Sequence, residues 1–90
     1  MTVIHRLVGY DPRTDAIASQ HDIPSATLAR VKRIAEVPST DPDAADSYVL
    51  TAAQAREVAA LLGVTLDARP MDYCLESFAT STPKSARVSA

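Results

Sequence analysis

Two histidines and one cysteine are the residues of this chain best suited to metal binding or nucleophilic catalysis. His5 and His21 lie in segments predicted to be neighbouring strands, and Cys74 lies in a third strand, between Asp72 and Glu76. If they converged, they would supply zinc ligands, or a thiolate with a base and an orienting carboxylate. The chain has no Cys-x-x-Cys or His-x-x-x-His pair, and a cysteine in an apolar strand is usually an unreactive core residue. We therefore favour a protein that is not an enzyme and predict neither a metal nor a cofactor. A small metal-binding protein or enzyme that uses His5, His21 and Cys74 is an alternative hypothesis.

The segment 51–69 resembles the first helix and turn of a helix-turn-helix DNA-binding protein. A helix that ends in Leu62-Gly-Val is followed by Thr65, a residue type that caps the recognition helix in that family. The recognition helix must run for two or three turns along the major groove, yet Pro70 would end it after about five residues. A capped amphipathic helix that ends at Gly63 explains the same residues, so DNA binding is an alternative hypothesis.

Two charged clusters could bind ions or an acidic partner. Asp41, Asp43 and Asp46 resemble a calcium loop, but the glycine of its sixth position and the glutamate of its twelfth are missing. Arg30 and Arg33 fall near the end of a predicted helix, where the helix dipole already favours cations. We interpret the first cluster as a solvated loop and the second as a candidate protein-binding surface.

Periodicity predicts the elements that carry these residues. Residues 2–10 and 16–23 are predicted to form a β-hairpin around an Asp-Pro turn, with His5 opposite His21. A helix should follow with Ser25 as its N-cap and end at Val37-Pro38. Its apolar stripe consists of Leu28, Val31, Ile34 and Ala35.

The second predicted helix has the clearest boundaries. Thr51 and Gln54 have the spacing of a capping box, and Gly63 is a C-terminal stop. Residues 48–50 form a possible short strand before this helix, and residues 72–79 alternate as a closing strand. We therefore predict one α+β domain over residues 1–79, a small antiparallel sheet of three to four strands with two helices on one face, in the order β-β-α-(β)-α-β. Residues 80–90 are predicted to be a disordered tail.

Composition limits the function. Of the 90 residues, 47% are hydrophobic, but 16 are alanine, so the core should be thin and a homodimer or a bound protein partner is expected. A net charge of −2 disfavours nucleic acid as a partner, and no apolar stretch would span a membrane. A single cysteine fits a reducing compartment, so we expect the cytoplasm. Seven arginines against two lysines, with abundant alanine, indicate a high-GC bacterial genome.

Four short segments resemble a group of small bacterial proteins of unknown function. They cover most of residues 3–78 and mark turns and element boundaries, and the resemblance implies no reaction, cofactor or catalytic residue. The segments are Val8-Gly-Tyr-Asp-Pro, His21-Asp-Ile-Pro, Tyr48-Val-Leu-Thr-Ala-Ala-Gln-Ala and Cys74-Leu-Glu-Ser-Phe.

The sequence favours a non-catalytic cytoplasmic module that binds another protein, or itself, through an open sheet face or a sheet edge. Tyrosine and arginine are enriched where interfaces gain most of their binding energy. The residues predicted for such a surface are Arg30, Arg33, Tyr10, Tyr48 and Tyr73.

Overall fold

Six elements follow one another along residues 2–66 and 69–80, the part of the chain that the computed structural model describes. They are β1 (Thr2–Tyr10), β2 (Ile17–Ile23), α1 (Ser25–Ile34), β3 (Tyr48–Leu50), α2 (Ala52–Leu62) and β4 (Asp72–Thr80). The predicted α+β class and the element order, including the short third strand, are confirmed. Thr80 belongs to β4, and the rest of the predicted tail lies outside the described residues.

The four strands form one antiparallel sheet in the order β2-β1-β4-β3. The long strands β1 and β4 occupy its centre, and both helices pack on the same face. No described helix covers the other face. The core between the two layers includes Leu7, Ile23, Val31, Leu50, Ala55, Val58 and Leu75.

The register of the β1–β2 hairpin differs from the predicted one. His5 and His21 were expected to be opposite each other, but His5 pairs with Ile23 and His21 pairs with Leu7, a shift of two residues. The pairing changes register at an irregularity that follows Gly9, which extends the connection beyond a simple turn. Because a shift of two preserves the alternation of a strand, His5 and His21 still lie on the same face of the sheet, as an opposite pair would.

The first helix begins and ends differently from the prediction. Pro24 occupies the N-cap position that was assigned to Ser25, and no side chain caps this end. The helix ends at Ile34, before the predicted Val37-Pro38 stop, and Glu36 beyond it has a left-handed backbone with φ of 57°. The predicted apolar stripe is confirmed, since Val31 and Ala35 are buried while Leu28 and Ile34 pack against the core.

The second helix matches the prediction. The N–H of Gln54 donates to Thr51 Oγ1 over 3.1 Å, and the N–H of Thr51 donates to Gln54 Oε1 over 2.8 Å. These two bonds form the capping box, while Gly63 ends the helix in the left-handed conformation with φ of 70°. The buried stripe of Ala55, Val58 and Ala59 then holds α2 on the sheet.

Candidate functional site

The sheet face opposite the helices is formed by side chains that alternate with the core residues. On β1 these lie at even positions, because Leu7 points into the core. We call this surface the open face. It contains Ile4, Arg6, Val8 and Tyr10 of β1, Ile17, Gln20 and Asp22 of β2, Val49 of β3, and Asp72, Cys74, Glu76 and Phe78 of β4.

Tyr10 lies diagonally across the open face. Its direct partner on β4 is Asp72, yet its hydroxyl donates a hydrogen bond to Glu76, four residues further along β4. Its side chain therefore crosses the pair formed by Val8 and Cys74, which are 0% and 9% exposed. The hydrogen bond to Glu76, followed by desolvation, raises the pKa of Tyr10 to about 12, so the hydroxyl is a donor at neutral pH.

Arg6 is held in place by three neighbours on the same face. Its Nε donates to Asp22 Oδ1 over 2.8 Å, and its Nη1 donates to Gln20 Oε1 over 3.1 Å. Its guanidinium carbon also lies 5.0 Å from the centre of the Phe78 ring, within the range of a cation–π contact. The guanidinium is thus fixed between an edge strand and a central strand.

Two exposed apolar side chains lie at opposite edges of the open face. Val49, in the middle of β3, is 79% exposed. Ile17, at the start of β2, is 48% exposed and pairs with Tyr10. The open face therefore has a polar network over its centre and apolar side chains at its margins.

The three residues of the metal or enzyme hypothesis do not converge. Cys74 is on the open face, whereas His5 and His21 are on the helix-facing side of the sheet. Within the described ranges, no group of three or more potential ligands could hold a metal ion. Burial raises the pKa of the Cys74 thiol, and the nearby charges of Glu76 and Asp72 raise it further, which is the opposite of an activated nucleophile.

His5 instead fastens the connection between α1 and β3. The imidazole is 7% exposed, and its Nε2 lies 2.9 Å from the carbonyl oxygen of Asp43 and 3.2 Å from that of Ala44. Since both partners accept hydrogen bonds, Nε2 carries the proton. Ala44 is fully buried with φ of 47°, so this histidine holds a strained segment against the sheet.

Asp41 organises the same connection. One carboxylate oxygen accepts the N–H of Ala45 over 2.9 Å, and the other accepts the N–H of Asp46 over 3.0 Å and the hydroxyl of Tyr48. The bond from Tyr48, followed by the two backbone bonds, lowers the pKa of Asp41. Both of its carboxylate oxygens are therefore bonded within the loop.

The structure separates the five residues that were predicted for an interaction surface. Tyr10 lies on the open face. Tyr48 and Tyr73 lie on the helix-facing side, where Tyr73 is buried at 7% exposure. Arg30 and Arg33 are exposed on α1, in the other layer. An interface role for these five residues stays a prediction, and no single surface of the fold contains all of them.

Between α2 and β4, the residues that the structure describes are 64–66 and 69–71, and none of them is helical. The chain enters β4 at Asp72. The described residues therefore offer no recognition helix for the major groove.

Comparison with known protein families identifies the family of this chain. The family described as a domain of unknown function, DUF7683, matches residues 4–76. The chain belongs to the DUF7683 family. No curated protein and no solved structure matches it. The DUF7683 match includes parts of all six elements, and Arg6, Tyr10 and Glu76 of the open face fall within it. Over the described ranges, neither helix has the length and apolarity that a membrane span requires.

Most open-face residues of this DUF7683 chain were missed by sequence reasoning. Arg6, Phe78 and Val49 were not selected, although strand alternation places each of them opposite the core positions. Alternation along β1 and β4 shows which residues of each strand share a face. Only the pairing of β1 with β4 shows that these residues are neighbours, because it brings both ends of the chain together.

Proposed function

We propose that the chain is a non-catalytic cytoplasmic module that binds a partner protein through its open face. The proposal rests chiefly on the ordered arrangement of Arg6, Tyr10 and Phe78 over the centre of that face. Arginine and aromatic residues supply much of the binding energy of protein interfaces.

The hydrogen bonds on the open face favour binding because they reduce its entropic cost. An arginine or a tyrosine that is ordered on association loses side-chain freedom, which opposes binding. Here Arg6 is already bonded to Asp22 and Gln20, and Tyr10 is already bonded to Glu76. All of them lie on one four-stranded sheet, so these side chains lose less freedom when a partner binds.

The charges of the open face indicate the chemistry of the partner. Asp22, Asp72 and Glu76 carry three negative charges against the positive charge of Arg6. The exposed Val49 adds apolar area at the margin. The complementary surface therefore carries positive charge opposite the acidic groups of the open face and apolar contact area opposite the Val49 margin.

A set of matched variants tests this surface. Val49→Lys places a cation where the partner supplies apolar area and positive charge, while Ala29→Lys makes the same change at an exposed position on α1. The tagged proteins are used to capture partners from a lysate of the source organism, with circular dichroism confirming that each is folded. We expect one protein to be recovered in near-equal amount with the wild type and Ala29→Lys and to be lost with Val49→Lys.

The double variant Arg30→Glu/Arg33→Glu tests the competing surface on α1. Both arginines are exposed, so reversing their charge leaves the core and the open face unchanged. We expect this variant to capture the partner as the wild type does. Loss of the partner with this variant, together with retention by Val49→Lys, would contradict the proposal.

A further inference from the structure

We infer that a second copy of this chain pairs with the outer edge of β2, through an antiparallel two-fold contact centred on His21. β2 is an edge strand of seven residues, and within the described part of the chain no strand pairs with its outer side. Such an edge presents unpaired backbone N–H and C=O groups to another strand.

The β2 edge has little of the protection that natural proteins give to exposed edges. Its sequence, Ile-Ala-Ser-Gln-His-Asp-Ile, contains no proline, lysine or arginine, and its one carboxylate, Asp22, is paired with Arg6 of the same copy. The bulge is confined to its first residues, so Ser19–Ile23 pairs regularly with β1. By contrast, the other edge strand, β3, has only three residues. The regular part of β2 is long enough for a five-residue pairing.

The side chains of the β2 edge are complementary to a second copy. In a two-fold pairing centred on His21, Gln20 of one copy lies opposite Asp22 of the other, and the contact occurs twice. Arg6 already occupies Gln20 Oε1 and Asp22 Oδ1. The amide N–H groups of Gln20 and the second oxygen of Asp22 are the groups that the two copies then direct toward each other. A donor therefore meets an acceptor at both positions.

This pairing is compatible with the proposed function and does not depend on it. Side chains opposite each other in an antiparallel pair share a face, so the helices of both copies lie on one side of a continuous sheet. The two open faces then join into a single surface. Val49 lies on β3, at the far edge of each copy.

One variant should weaken the dimer while leaving the monomer folded. Gln20→Glu keeps an acceptor for Arg6 within the copy, but places a carboxylate opposite Asp22 of the second copy at both contacts. We expect the dimer dissociation constant, measured by sedimentation velocity on the full chain, to rise by more than about tenfold. Val49→Glu adds the same charge to the other edge and should leave the dissociation constant within about twofold of the wild type.

Cysteine cross-linking tests the register. In a Cys74→Ala background, His21→Cys places two thiols directly opposite each other, while Gln20→Cys leaves them diagonally separated by more than about 7 Å between Cα atoms, too far for a disulfide. We expect oxidation to link the copies of the His21→Cys protein and not those of the Gln20→Cys protein. A monomeric wild type at high micromolar concentration, a dimer that survives Gln20→Glu, or preferential linkage through Gln20→Cys would each overturn the inference. A monomer that still captures a partner through Val49 would overturn the dimer alone.

Discussion

The ring of Tyr73 lies over Gly9 on the neighbouring central strand, at a separation that leaves no room for a side chain. A Cβ on Gly9 would lie 2.8 Å from Tyr73 Cε1 and 2.6 Å from Ser19 Oγ. Three of the four strands therefore meet at one point on the helix-facing side. Glycine is required at position 9 because the surrounding side chains leave no space for a Cβ atom.

Gly9→Ala should lower the free energy of unfolding by about 1–3 kcal/mol, because Tyr73 or Ser19 must move to admit the methyl group. Urea denaturation measures the change. The loss should be smaller when Ser19→Ala removes the nearest atom. A Gly9→Ala protein as stable as the wild type would contradict the close packing at this point.

Tyr73→Phe should leave the free energy of unfolding unchanged or raise it. The Tyr73 hydroxyl is buried without a hydrogen-bond partner among the described residues, and burying such a group costs about 1–3 kcal/mol. The ring itself is retained, so its packing over Gly9 persists. Thermal and urea denaturation of both proteins check this expectation, and a loss of more than about 1 kcal/mol would show that the hydroxyl is bonded.

How much could be predicted from the sequence depended on the range of the interactions. The capping box of Thr51 and Gln54 and the stop at Gly63 are local, so the helix between them was predicted with its ends. The hairpin of β1 and β2 was predicted from its strand and turn residues, but its register was not, because the irregularity after Gly9 changes the length of the connection. The ends of α2, which its capping box and Gly63 mark, were thus predictable, whereas the ends of α1 and the strand register were not.

The candidate site was less predictable than the fold for the same reason. Tyr10 and Glu76 are 66 positions apart, and only the pairing of β1 with β4 brings them together. The choice of Tyr73 as a surface residue failed to allow for its face, since it shares the helix-facing side with Leu75. Residue type alone selected the tyrosines, and the fold places them on opposite faces of the sheet.

Asp41→Asn should destabilise the protein at neutral pH, and the difference should shrink in acid. The folded-state pKa of Asp41 lies below its ordinary value of 3.8, because the ionised carboxylate accepts bonds from Tyr48 and two backbone N–H groups. Its contribution is therefore fully present above about pH 4 and is lost as the pH falls toward the lower folded-state pKa.

Melting temperatures of the wild type and Asp41→Asn between about pH 7 and pH 2.5 measure this effect. Asp43→Asn, an exposed change in the same loop, is the matched control. A difference in melting temperature between the wild type and Asp41→Asn that stays constant down to pH 2.5 would contradict the role assigned to the Asp41 carboxylate.

Tyr10→Phe should destabilise the protein at neutral pH and lose this effect in alkali. The pKa of Tyr10 is about 12 in the folded chain against an ordinary value of 10.0, so the folded state retains its proton longer. The contribution of the hydroxyl is full below about pH 10 and disappears as the pH rises toward 12. Urea denaturation at pH 8 and pH 11.5 checks this, and an equal difference at both values would exclude the bond to Glu76.

Site-specific photo-cross-linking tests the binding role of the open face most directly. Benzoylphenylalanine is incorporated at Val49 in one protein and at Ala29, exposed on α1, in another, and both are irradiated in cells of the source organism. We expect a cross-linked adduct with one partner protein from position 49 and none from position 29. An adduct that forms from position 29 and not from position 49 would contradict the assignment of binding to the open face.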